Sequence, residues 1–180
     1  MRHVGVIQRS ADLTLRERLL FQVNPQPDKL AALKDVTQTL ERARIPYGLI
    51  GGLAVAVHSG IPRATDDIDL AIPTGIDRQK LVTVLAEAHL TLVGEFQHSI
   101  NFRHISGEPV QLAFDPAFDS MIAQTQEIQV DTFRIHVVRR EDLIAMKLRA
   151  ANDPHRRKSK ALRDQADVAL LQGDVPDADE

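Results

Sequence analysis

Residues 47–73, YGLIGGLAVAVHSGIPRATDDIDLAIP, constrain this chain more than any other stretch, because they read as strand, glycine turn, helix, loop and strand in immediate succession. In the last of these strands the residues alternate Asp67, Ile68, Asp69, Leu70, Ala71, Ile72. Side chains of a strand point alternately to its two faces, so Ile68, Leu70 and Ile72 share one face while Asp67 and Asp69 share the other. The apolar face belongs in a core. The two carboxylates, about 7 Å apart along the strand, raise each other's pKa in a partly dry cleft unless a cation sits between them. A bound divalent ion is the simplest resolution, with Asp67 and Asp69 as its ligands.

Gly51 and Gly52 stand between the first strand of this stretch and an apolar helix. Glycines there allow a phosphate to approach the backbone, where the helix N-terminus offers unpaired N–H groups and partial positive charge. A tight turn needing room for close packing would use the same residues. What favours phosphate binding is the arrival of Asp67 and Asp69 on the next strand, so that glycines for phosphates and carboxylates for metal fall in one site.

The rest of the chain supplies a sheet and its covering helices. From Asp28 the apolar residues Leu30, Leu33, Val36 and Leu40 recur at helical spacing. A helix carrying Leu81, Val84, Leu85 and Ala88 follows the carboxylate strand. Three strand-like runs come next, at residues 91–96, 101–105 and 109–114, separated by turn residues such as Ser106 and Gly107, and they read as an antiparallel meander. A short helix over 118–124, a strand over 133–138 and two helices over 141–151 and 158–171 complete the reading. The expected fold is α/β, in the α+β sense of a mixed sheet flanked by helices, with a C-terminal helical segment closing one side of a cleft. The corresponding division is an N-terminal extension (1–27), a core (28–138), the helical segment (139–171) and an acidic tail (172–180).

Composition narrows the functional classes. The formal net charge of −3 gives no global basis for nucleic-acid binding, so such contact has to be local. The one locally basic region runs from Arg139 to Arg163. The absence of cysteine removes disulfides and thiolate metal sites, which agrees with a reducing cytoplasm. No apolar run reaches the length of a membrane span, and the first thirteen residues lack the continuous apolar core of an export signal. A cytoplasmic protein without membrane contact is the expectation.

Three cationic or hydroxyl side chains are candidates for a phosphate-bearing substrate. Lys147 shares the inward helix face of Leu143 and Ile144, so its ammonium either snorkels outward or enters a polar cleft. Arg63 can clamp phosphates through its planar fork, and Thr65 can hold either a phosphate or a backbone turn. Asp164 and Asp167 are spaced four residues from Lys160 and Arg163, as in ordinary surface pairs, and function and solvation weigh equally for them. His58 lies in an apolar helix, where a hydrogen-bonded histidine is the commoner outcome; the histidines show no ligand spacing.

Gly51-Gly52 followed by Ala54, His58, Gly60 and then Arg63-Ala64-Thr65-Asp66-Asp67-Ile68-Asp69 resembles the nucleotidyltransferase superfamily of the polymerase-beta type, most of all the abortive-infection AbiEii-like and related toxin-type bacterial members. Residues 141–147, EDLIAMK, are similar to that family's Asp-to-Lys helix. Residues 163–167, RDQAD, are similar to its closing Arg-x-Lys-Asp-x-x-Asp motif, with Ala161 where the arginine would be and Arg163 where the lysine would be. The resemblance implies two Mg2+ ions and transfer of a nucleoside monophosphate from a nucleoside triphosphate to an acceptor hydroxyl. By the same likeness Asp67, Asp69 and Lys147 are catalytic, Asp67 and Asp69 hold the metal, and Gly51, Gly52, Arg63, Thr65, Lys147 and Asp164 hold the nucleotide. The acceptor is left open among RNA, a protein hydroxyl and a small molecule such as an antibiotic, and an antitoxin protein is a further expected partner.

One position departs from the family pattern. Many members carry a third carboxylate on a neighbouring strand, where Gln111 stands here, with Asp115 as a substitute or as a turn residue before Pro116. An amide oxygen can ligate Mg2+ but cannot accept the acceptor's proton. Two further readings therefore accompany the enzyme: a nucleotide- or partner-binding protein that keeps the fold without turnover, and a toxin module held by an antitoxin.

Overall fold

The computed structural model describes residues 28–174, so the expectations for the N-terminal extension and for most of the acidic tail lie outside the described residues. Six helices and seven strands follow one another as α1 (Asp28–Arg42), β1 (Gly48–Leu49), α2 (Gly51–Ser59), β2 (Ile68–Ala71), α3 (Arg78–Ala86), β3 (Leu90–Phe96), β4 (Ser99–His104), β5 (Pro109–Ala113), α4 (Pro116–Ile122), β6 (Gln126–Val130), β7 (Phe133–Val137), α5 (Arg140–Ala151) and α6 (Lys158–Gln172).

The strands form one mixed sheet in the order β3-β4-β5-β2-β1-β7-β6. The central strand β2 runs antiparallel to β1 and parallel to β5, and β1 is parallel to β7. The expected meander is present as the antiparallel pairs β3-β4 and β4-β5. The mixed α/β architecture expected from the sequence is thus the observed one.

Helix periodicity and strand alternation build the core. Leu33, Val36 and Leu40 of α1 are wholly buried, as are Leu81 and Leu85 of α3. They meet the apolar side of the sheet, where Ile68, Leu70, Ile100 and Leu112 are also buried. Helix α2 is apolar all round because it lies between the sheet and the C-terminal pair: Leu53 to Val57 are buried, and α2 contacts β2, α5 and α6. It stops where Gly60 adopts φ 74°, a left-handed conformation suited to glycine.

Two elements differ from the sequence reading. Helix α2 begins at Gly51 rather than Leu53, so the glycine pair forms its first turn. Strand β6 was not expected. Its exposed Gln126, Glu127 and Gln129 leave only Ile128 and Val130 as an apolar face, the pattern of an edge strand. It pairs with β7 through a tight turn in which Asp131 takes φ 47°.

Candidate active site

The site forms where the centre of the sheet meets the two C-terminal helices. Asp69 lies within β2, its Cα opposite Gln111 of β5, and its carbonyl accepts a hydrogen bond from the N–H of Ile50 at 3.0 Å. Asp67 lies one residue ahead of the strand, where Thr65 holds it: the Thr65 hydroxyl donates to the Asp67 carboxylate at 3.1 Å and to its carbonyl at 3.3 Å. Neither Asp67 nor Asp69 forms an ion pair with another described residue.

The Asp69 carboxyl is pushed up to about 7, first by burial and then by the charge of Asp67; Lys147, Lys160 and Lys29 act in the opposite direction without cancelling the rise. This is the mutual destabilisation that alternation along the strand implies.

The glycine pair is needed on steric grounds. A Cβ on Gly51, whose φ is +70°, would lie 2.1 Å from Oδ2 of Asp69, and one on Gly52 would lie 2.8 Å from Cβ of Thr65. Both glycines therefore let the start of α2 approach the carboxylate strand closely, and both line the cavity in front of it. Close packing and access to backbone N–H groups coincide here.

Helices α5 and α6 provide the opposite wall. Lys147 Nζ sits 3.0 Å from Oδ1 of Asp164 and 2.8 Å from Oδ2 of Asp167. Arg63 Nε donates to Asp167 at 2.6 Å, and Arg156 Nε donates to Asp164 at 2.7 Å. The result is a chain of alternating charge, Arg63, Asp167, Lys147, Asp164, Arg156, whose two carboxylates are almost completely buried. Burial alone would raise the Asp167 pKa, but hydrogen bonds and charge from Arg63 and Lys147 outweigh it and hold the carboxyl below its ordinary value. The partners of Asp164 and Asp167 are thus tertiary neighbours, in place of the i,i+4 surface pairs that their spacing allowed.

The space between the walls has two lobes that share Gly51, Asp69, Gln111, Lys147, Arg156 and Asp164. A lobe of about 380 Å3 reaches Gly52, Arg63, Thr65, Asp67, Lys160 and Arg163 and is rich in cations. The other, about 620 Å3, extends over Ile50, Leu143, Met146 and Ala150 and offers apolar surface. The residues given catalytic, metal or nucleotide roles from the sequence, Gly51, Gly52, Arg63, Thr65, Asp67, Asp69, Lys147 and Asp164, all border this space. Arg156, Lys160 and the apolar residues of the second lobe were missed. The basic character of residues 139–163 was their only signal, and it does not separate a cleft from a solvated face.

Asp115 and His58 fall elsewhere, whereas Gln111 borders both lobes. Asp115 caps α4, accepting from the Ala117 N–H at 2.8 Å, and pairs with Arg149 at 3.0 Å. Gln111 donates to Asn101 Oδ1 at 3.2 Å. His58 has Nε2 2.7 Å from the carbonyl of Val138, tying α2 to the end of β7.

Among the described residues no group of three or more His, Cys, Asp or Glu side chains is placed to hold a metal ion. The pair Asp67 and Asp69 nevertheless fits Mg2+, a hard cation commonly held by one or two carboxylates together with water and substrate phosphates. Their lack of counter-charge is the feature that such an ion would relieve.

A mixed sheet with a glycine-started helix beside a two-carboxylate strand defines the nucleotidyltransferase type of fold. The model of the family "Nucleotidyl transferase AbiEii toxin, Type IV TA system" matches residues 44–180, and the chain belongs to that family. Solved structures agree at the level of the fold. An antigenic nucleotidyltransferase-like protein from Paracoccidioides brasiliensis is 24% identical with a TM-score of 0.56, covering 81% of this chain and 76% of its own. The antibiotic-resistance factor ANT(2'')-Ia is 16% identical with a TM-score of 0.60, covering 82% and 85%. The lincosamide antibiotic adenylyltransferase LnuA, in its lincomycin-bound form, is 16% identical with a TM-score of 0.57, covering 80% and 96%. A search among curated proteins finds no match. No helix among the described residues is long and apolar enough to cross a membrane.

Proposed function

We propose that the protein is a Mg2+-dependent nucleotidyltransferase that moves a nucleoside monophosphate from a nucleoside triphosphate to an acceptor hydroxyl. The observation that carries this reading is the opposition of charge across one cavity. Asp67 and Asp69 stand without ion-pair partners on one wall, while Lys147, Arg156, Lys160 and Arg163 line the other. A metal–triphosphate complex offers the complementary pattern, a cation for the carboxylates and anionic oxygens for the lysines and arginines.

In this reading Asp67 and Asp69 hold Mg2+, which when bound supplies charge neutralisation and activation at the reacting phosphate. Lys147, with Lys160 and Arg163, faces the phosphates and stabilises negative charge as the pyrophosphate departs. Asp164 and Asp167 keep Lys147 and Arg63 fixed before substrate arrives, so little reorganisation is needed. The acceptor oxygen forms its bond to the α-phosphorus as the bond from that phosphorus to the bridging oxygen breaks, and the hydroxyl proton passes to solvent. Gln111 has no capacity to take that proton.

Gln111 also supports a second reading. With an amide beside Asp69 and no third acidic ligand in place among the described residues, a fold that binds Mg2+–triphosphate without turnover has the same residues available. Family membership supports a toxin module with a cognate antitoxin, for which expression alone would inhibit growth and the antitoxin would restore it.

The deciding experiment incubates the protein with each labelled triphosphate, Mg2+ and a cell extract, beside an Asp67→Ala, Asp69→Ala double variant. Label should move to an extract component only with the parent protein. Absence of transfer, or equal transfer by the variant, overturns the catalytic reading. Calorimetry with Mg2+–triphosphate then separates binding without turnover from no binding at all.

A further inference from the structure

The two carboxylates are held by different means. Asp69 is held on both sides, by its pairing with Gln111 of β5 and by the Ile50 N–H just past β1, whereas Asp67 precedes the first paired residue of β2 and has no ladder to fix it. Beneath that unpaired step lies Lys29 of α1. Its ammonium donates to the carbonyl of Asp66 at 3.0 Å and pairs with Glu108 Oε2 at 2.6 Å. Both side chains are almost fully enclosed, at 4% and 7% exposure. Glu108 immediately precedes β5, and its carbonyl closes the β4-β5 turn by accepting from the His104 N–H. One buried ammonium thus joins α1, the β4-β5 hairpin and the peptide preceding Asp67.

Stability alone does not account for this pair. Enclosing a lysine and a glutamate costs desolvation that their attraction roughly offsets, and an apolar pair of similar volume usually holds two elements together as well or better. An apolar side chain cannot hold a carbonyl. Lys29 also lies outside residues 44–180, the part of the chain matched by the family model.

We propose that Lys29 is a positioning residue for the metal site: by fixing the Asp66 carbonyl it sets the backbone from which the Asp67 carboxylate projects. This rests on the metal-binding reading above. Two effects of removing Lys29 have opposite signs, and this makes the inference testable. Loss of a nearby positive charge would tighten binding of a divalent cation, whereas loss of the backbone anchor would weaken it. Glu108 already neutralises most of the lysine charge, so the anchor dominates.

The test measures Mn2+ binding to the full chain by electron paramagnetic resonance, with circular dichroism and thermal melts to establish folding. Lys29→Met should weaken Mn2+ binding about 10- to 100-fold, the range found when outer partners of metal ligands are removed. In an Asp67→Asn background the same change should have little further effect, because its route through Asp67 is already gone. Unchanged or tighter Mn2+ binding in a folded Lys29→Met protein overturns the inference, as does equal weakening in the Asp67→Asn background. If Lys29→Met does not fold, Lys29→Met combined with Glu108→Leu carries the comparison: it leaves no unpaired buried carboxylate but still removes the donor to the Asp66 carbonyl, so binding should weaken by the same factor of about 10 to 100, and unchanged affinity overturns the proposal. A parent protein showing no Asp67-dependent Mn2+ binding overturns the metal reading and this inference together, an outcome distinct from failure of Lys29 alone.

Discussion

Two groups of carboxylates beside the same cavity have opposite electrostatic fates. Asp69, with Asp67 beside it and no ion-pair partner, is pushed up to about 7. Asp167, which is more fully enclosed, is held below its ordinary value because Arg63 and Lys147 donate to it. Desolvation pushes both carboxyls upward, so compensation makes the difference. The helical group is complete as it stands and serves as a frame; the strand group is incomplete and awaits a cation.

The largest test of this contrast is Asp69→Asn. Transfer activity should fall by at least about 1000-fold, the scale on which removal of central electrostatic groups acts. Metal-free stability should rise. Because the folded protein binds the Asp69 proton more tightly than the unfolded chain, the parent loses stability as pH climbs from about 4 to about 7. The variant escapes that loss, so thermal melts without metal should favour it by roughly 2 to 4 kcal/mol at pH 8 and show no gain near pH 4. A variant less stable than the parent at pH 8 would mean that the carboxylate pair is already compensated.

Lys147→Met attacks the other group. Removing the cation shared by two enclosed carboxylates should cost about 3 to 5 kcal/mol at pH 7 by denaturant titration. The Asp167 contribution has the opposite pH sign to that of Asp69: it is present above the unfolded carboxyl range and lost as pH falls through the depressed folded value. A milder effect comes from titration of Asp69 itself. Below about pH 7 a proton competes with the cation, so Mn2+ affinity should decline by up to about tenfold per pH unit and level off above that point. At the bottom of the scale stands Arg134→Ala, which breaks the solvent-exposed pair with Glu127. It should change stability by no more than about 0.5 kcal/mol in the same titration.

Legibility in the sequence tracks the physics of each region. The acidic strand was readable because alternation is local: Asp67 and Asp69 must share a face whatever surrounds them. The glycine pair beside it and the β3-β4-β5 meander were readable for the same reason, although α2 takes the pair into its first turn. The helical ion-pair chain was not. Asp164 and Asp167 sit at the spacing of ordinary surface pairs, and only the packing of α5 on α6 turns them toward Lys147, Arg156 and Arg63. Strand β6 escaped notice because an edge strand with polar outward residues has little apolar signal. Lys29 was invisible because its partners, Asp66 and Glu108, are distant in sequence and one of the contacts is to a backbone carbonyl.

Helix α1 lies outside the matched segment and inside the folding unit. The match to the family begins at residue 44, yet Ala32, Leu33, Val36 and Leu40 of α1 are wholly enclosed within the common core. A fragment cut to the family boundary would keep every recognisable motif and lay bare the apolar surface that α1 covers. Sequence kinship and the unit that holds itself together have different edges in this molecule, and expression of the shorter piece would yield an aggregate with all its signature residues present.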